Sequence, residues 1–332
     1  MPEDATPIST QPITERILDR LGGPKWAWIL VWSSFALVNP IVYVTAIRAT
    51  GRPYGDADVI NLVGIQAALA WTSFVALWGT GLIARQSTAL RADLERIAPD
   101  GTPSDVFTRI GSSLGPIALT AIIVAISLTN SYLTFGLLPP LAGLPLLIGY
   151  LLTIMTFVWV YLVVLADIDR LGRNQMALDT FPQDRTLGLS KIGAVASNGL
   201  GILVLAAAPV MLAGSDEPIT LGISLTILAI AVGLFFLSMF RLHRQMAAAK
   251  GRYVAHARRL YEEAYAPLRD NPTTKALEQQ SSALSTAQSL DARAQSLMSW
   301  PIDEGTLKFI AVVITGVVTS VVVRGLFAAL GF

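Results

Sequence analysis

Seven apolar stretches, each about as long as a bilayer is thick, constrain this chain more than any other feature. The hydrocarbon layer is roughly 30 Å thick and offers the backbone no water, so a crossing segment satisfies its own hydrogen bonds as a helix of about 20 residues. The stretches are Trp26–Ile47, Val59–Ile83, Leu114–Leu138, Leu141–Ala166, Ile192–Ala213, Ile219–Phe240 and Lys308–Leu330. Only 14% of the 332 residues are charged, against about 25% in soluble globular domains. That deficit fits a surface that meets lipid. The expected fold class is all-α: a polytopic membrane protein with seven transmembrane helices, placed in the plasma membrane. The third and fourth spans are joined by "LLPPLAG", and the fifth and sixth by "GSDEP".

Lys and Arg set the orientation. All but three of the 24 flank one side of these spans, the exceptions being Arg48, Arg52 and Arg324. The positive-inside rule places the N-terminus in the cytoplasm and the C-terminus outside. Trp26, Trp28 and Trp300 then fall at the inner interface, where indoles are favoured. The opening "MPEDATPISTQPITERILDR" is acidic and rich in Pro and Thr, without the apolar core of a signal peptide. Residues 1–13 are expected to be disordered, with Thr14 capping a short helix that "GGP" ends after Leu21. The organisation is a cytoplasmic N-terminus (1–25), a six-helix transmembrane region (26–240), a cytoplasmic helical hairpin (241–305) and a seventh transmembrane helix (306–332).

The inner segments are helix-patterned. Ile83, Ser87, Leu90, Leu94 and Ile97 alternate steps of four and three, as do Ile168, Leu171, Gln175 and Leu178, so both spans run on as one-faced helices. After the sixth span, Met246, Ala249, Tyr253, Leu260 and Ala264 form a stripe that Arg244, Arg252, Arg258 and Arg259 mostly avoid. An unbroken helix from Ile219 to Ala266 would be about 72 Å long, with Gly251 a candidate kink. The returning helix carries Ala276, Gln280, Ala283, Ala287, Leu290, Ala294 and Leu297 at heptad spacing, until "SWPIDEG" stops it at Pro301. Such stripes fit an intrachain bundle or an oligomer interface, and the two are compatible.

Several chemistries find no residues to carry them. With no cysteine, the chain has no disulfide, thiolate metal site or cysteine nucleophile. Two histidines, His243 and His256, make a poor zinc set. No Asp, Glu, His or Lys falls mid-span, where coupled transporters place ionisable groups. No nucleotide, protease or hydrolase motif occurs. No catalytic residue, cofactor or metal is expected, and the net charge of +1 implies no nucleic-acid partner. Asp167 and Asp169 form a D-x-D at the inner surface, a spacing that can hold a divalent ion. Pairing with Arg170 and Arg173 is the plainer reading.

Polar residues within the spans are the candidate site. Asn39, Asn61, Gln66, Asn130 and Asn198 either line a cavity or hydrogen-bond between helices. Asn39-Pro40 is expected to kink the first helix. Trp71 and Trp78, seven apart, share a packing face. In the last span Thr315, Gly316, Thr319, Ser320 and Arg324 share one side, small and hydroxylated, suited to helix packing or to a narrow polar pore. Arg324 lies about 24 Å from Lys308 along the axis, near the outer boundary. It either snorkels or pairs with Asp56, Asp58, Asp216 or Glu217, or it rings the outer mouth of a pore and favours anions.

The layout as a whole, with a long inner extension of the sixth helix and a last helix split into Thr273–Trp300 and Lys308–Leu330, resembles the insect odorant and gustatory receptors. The resemblance implies a tetrameric cation channel whose inner helices form a shared anchor and whose last helices line the pore. It is one of topology: that family's aromatic signature, from Thr-Tyr to Gln-Phe, is absent from "ITGVVTSVVVRGLF", and Arg324 opposes cations. Two function classes follow. One is an oligomeric channel or ligand-responsive receptor, with an outer cavity among spans one to six as ligand site. The other is a non-conducting scaffold recruiting a partner through its cytoplasmic helices. A lipid-acting enzyme at Asp167 and Asp169 is a distant third.

Overall fold

The computed structural model of the chain describes residues 11–35, 38–49, 56–97, 106–135, 138–174, 176, 178, 185–213, 218–270, 274–302 and 304–330. Among them the fold is all-helical, without a strand. The helices are α1 (Ile13–Leu21), α2 (Lys25–Phe35), α3 (Asn39–Ala49), α4 (Asp56–Ile97), α5 (Leu114–Phe135), α6 (Leu138–Leu171), α7 (Ser190–Ala213), α8 (Pro218–Asp270), α9 (Thr274–Ser296) and α10 (Glu304–Leu330), with a short 3-10 turn at Thr108–Gly111.

Among the described residues, four helices are long and apolar enough to cross a membrane, over Val63–Arg91, Leu144–Leu171, Ser190–Met211 and Leu225–Arg269. Leu114–Thr129 and Gly305–Ser320 are shorter apolar stretches. The first expected span is not one rod. It divides into α2 and α3, of 11 residues each. The break, where a kink was expected, has a local cause: Pro40 has no N–H to donate back into a helix running on from α2, yet it suits the first turn of a new one. Val38 accepts hydrogen bonds from the N–H groups of Ile41 (3.1 Å) and Val42 (3.3 Å) as α3 starts. The end of α2 is satisfied from outside, where the Tyr150 hydroxyl donates to the Trp32 carbonyl at 3.0 Å. Pro139 and Pro140, expected in a turn, lie instead in the first turn of α6, where a missing N–H costs nothing.

The core is built by α4, α6, α7 and α8. Polar contacts run antiparallel along α4 and α7, from Trp71 with Leu205 through Gln86 with Asn198 to Asp93 with Lys191. Ile83, Ser87, Leu90 and Leu94 are buried as the stripe predicts. After α6 the pattern is overtaken by structure: the helix stops at Leu171, and Leu178 is buried beyond its end. Gln175 lies outside the described residues, as do residues 1–10 and the loop acids Asp216 and Glu217. Thr14 is not a cap. Pro12 precedes the helix and Thr14 is buried within α1. Gly22 (φ 69°) and Gly23 (φ 75°) make the turn into α2, in a conformation a side chain would resist. There Lys25 bonds Glu15 (2.6 Å) and Asp19 (2.8 Å). Its hydrogen bonds to Asp19 and Glu15 hold the ammonium above its ordinary pKa.

The helix α8 runs unbroken for 53 residues, through Gly251, and is about 80 Å long. It ends four residues later than the stripe foretold, at Asp270. Met246, Ala249 and Ala264 are buried, and Arg244, Arg252, Arg258 and Arg259 are exposed. Side chains of α8 also finish its neighbours. Gln245 Nε2 donates to the carbonyls of Gly172 and Asn174, both at 2.7 Å, at the end of α6. Lys250 Nζ donates to the carbonyls of Gln295 (2.9 Å) and Leu297 (2.6 Å) at the end of α9. A helix leaves carbonyls without partners at its end, and these contacts supply donors at and just past the ends of both helices. The heptad seam on α9 is rotated from expectation: Ala287 and Ala294 are buried, but Ala283 and Leu290 are exposed and Asp291 is half-buried in their place.

Candidate functional site

The five candidate residues of the last span lie on α10. Ile310 is buried in the core and Ile314, Val317 and Val318 pack against it. Thr315, Gly316, Thr319 and Ser320 face away from the chain's own core and are exposed. The Ser320 hydroxyl donates back to the Gly316 carbonyl at 2.8 Å. Val312, on the same side, is 70% exposed. The side chain of Arg324 lies outside the described residues, as do those of Asn39, Asn61, Asn130, Asp56 and Asp58.

Of the candidate cavity residues, Asn198 donates to Gln86 Oε1 at 3.2 Å, an interhelical hydrogen bond. Gln66 is half-buried and has a polar partner. The structure brings none of the described candidates into one cavity. Two of the described hollows lie beside α1. One of about 260 Å³ is apolar, lined by Leu18, Trp28, Trp32, Leu77 and Gly149. Another, of about 720 Å³, lies where α1 and α2 meet α4.

A polar arrangement the sequence reading missed lies between α4 and α7. Pro209 sits inside α7 and cannot donate to the carbonyl of Leu205. Trp71 Nε1 supplies that hydrogen bond from α4 at 3.0 Å. The adjacent Thr72 hydroxyl donates to the Ala206 carbonyl at 2.6 Å. Trp71 is therefore more than a packing residue. The signal was present: a proline ten or more residues inside an apolar span frees a carbonyl that something must meet.

The D-x-D pair is divided. Asp167 is 2% exposed and accepts from the Phe107 backbone N–H at 2.8 Å, holding the left-handed turn (φ 60°) that opens the 3-10 segment. Asp169 faces the other way and pairs with Arg173 (2.8 Å) and Arg241 (2.9 Å). The two carboxylates serve separate contacts, and no group of three metal-ligating side chains occurs among the described residues.

The remaining built feature is the junction where α9 hands over to α10. Trp300 stacks on His243 with ring centres 4.3 Å apart and meets Phe236 edge-on at 5.9 Å. His243 Nδ1 donates to the Ser299 carbonyl at 2.7 Å. A Cβ at Gly193 of α7 would collide with the Pro301 carbonyl oxygen, so only glycine lets the breaker segment lie this close. Comparison of the chain with known protein families, characterised proteins and solved structures finds no match.

Proposed function

We propose that the chain is an integral membrane protein that crosses the bilayer seven times and acts as a non-conducting scaffold, presenting the α8–α9 hairpin in the cytoplasm to a partner. One observation carries this: α8 passes without a break from its apolar half into the hairpin, and its side chains finish α6 and α9. The count of seven adds α5, α10 and the α2–α3 pair to the four helices that are long and apolar enough to cross. α5 has 22 residues and α10 has 27, each above the roughly 20 that a crossing requires. α2 and α3 in series supply a comparable length. Exposed apolar side chains such as Leu237 (66%) and Ile126 (61%) on these helices are what contact with lipid would account for. The basic flanks favour the cytoplasmic placement of the hairpin.

A second function is favoured by the face of α10. Thr315, Gly316, Thr319 and Ser320 are small and point outward, which suits homo-oligomeric contact in lipid. An oligomer with α10 near its axis would be the channel or receptor that the insect-receptor layout implies, with Arg324 at the outer mouth. Molecular mass in detergent, followed by ion flux from liposomes, separates the two. The scaffold predicts no flux above protein-free vesicles at any oligomeric state. An oligomer with flux that changes on Arg324→Ala would replace the scaffold by the channel.

A further inference from the structure

A groove of about 630 Å³ runs between α6 and α8 where both helices reach their basic end. Both point the same way here: Asp169 meets Arg241, and about a turn further along both chains Gln245 meets the carbonyls of Gly172 and Asn174. Along the groove the chemistry changes once. Leu162, Leu234 and Leu237 line one end and are exposed. About two turns further on, Arg173, Arg241 and Arg244 line the other, with Asp169 between them. Asp169 holds Arg173 and Arg241 by opposite oxygens, so two guanidiniums are fixed in place. Arg244 makes no ion pair among the described residues. Three cations against one carboxylate leave an excess of two positive charges at the mouth of an apolar slot.

We propose that this groove is a binding site for one anionic phospholipid, its phosphodiester held by Arg173, Arg241 and Arg244 and an acyl chain laid along Leu162, Leu234 and Leu237. The inference rests on the membrane reading above. Charge and shape both select the occupant. Guanidiniums bind phosphate oxygens in bidentate fashion, and basic pockets between transmembrane helices at the inner leaflet suit anionic headgroups. A free phosphate would leave the leucine wall unused. A zwitterionic lipid would bring its own cation against three arginines.

The test uses the full chain purified in detergent. Native mass spectrometry follows retention of phosphatidylglycerol against phosphatidylcholine of matched chains, and carbonate extraction of membranes is done first. The expected result is preferential retention of one phosphatidylglycerol per chain. Arg244→Ala should weaken it about fivefold and Arg173→Ala/Arg244→Ala further, since each basic residue near the surface contributes about that factor. Arg244 is exposed and unpaired among the described residues, so its loss should leave the melting temperature without lipid unchanged. Equal retention of the two lipids, an unaffected Arg244→Ala variant, or displacement of the lipid by millimolar inorganic phosphate would each overturn the site. Extraction of the chain by carbonate would overturn the membrane reading and the site together, whereas a carbonate-resistant chain without lipid preference overturns the site alone.

Discussion

At the scale of single residues, the most informative contact is the one that repairs α7. Pro209 removes a donor from the helix ladder, and the indole of Trp71 replaces it from the neighbouring helix. An unmet carbonyl in a bilayer has no water to turn to, so Trp71→Phe should destabilise the folded protein by about 1 kcal/mol. The same substitution should cost clearly less in a Pro209→Ala background, where the restored N–H meets Leu205 itself. A double-mutant cycle of unfolding in mixed micelles measures the difference, and equal costs in both backgrounds would refute the pairing. Asp167 teaches a related lesson. Read along the sequence it belongs with Asp169; in space the two bind a backbone N–H and a pair of guanidiniums on opposite sides of α6. Spacing alone does not show which way a carboxylate turns when every direction offers a partner.

At the scale of elements, the long helices were legible and their ends and phases were not. The stripe Ile83, Ser87, Leu90, Leu94 predicts the buried face of α4 because large and small residues alternate unambiguously with polar ones. On α9 fourteen of the 23 positions are Ala, Ser or Gln, and adjacent residues differ by about 100°. A heptad drawn through Leu290 is then no better defined than one drawn through Asp291, and tertiary contact with α8 decided. The consequence is measurable. Leu290→Gln, at an exposed position, should shift stability by less than about 0.5 kcal/mol. Ala287→Leu, at the buried seam, should cost about 1–3 kcal/mol through overpacking. Thermal unfolding of the two variants gives the order, and the reverse order would restore the original heptad. The break between α2 and α3 was half legible: Pro40 announced a disturbance, but whether a helix bends or stops depends on what meets its loose carbonyls, and Tyr150 could not be placed opposite Trp32 from the sequence.

At the scale of the whole molecule, class was readable from composition, because apolar runs of bilayer length with so few charges have few other uses. Function was not, since the described hydroxyls of the spans mostly bond backbone carbonyls and gather into no common site. The absence of cysteine makes the topology directly testable. Single cysteines at Gln11 and Ser285 should react with an impermeant maleimide only after cells are opened. One at Ser215 should react in intact cells, as should one added beyond Phe332. Labelling of positions 11 and 332 from the same side would require an even number of crossings.

The unbroken α8 has one mechanical consequence. A rod without a joint turns rotation at one end into travel at the other. Arg244 and Ala266, the residue before the in-helix Pro267, are about 33 Å apart along the axis, so a tilt of about 7° imposed on the apolar half sweeps that far point by about 4 Å. The Trp300–His243 stack sits beside the fulcrum, where the arm is shortest and movement least.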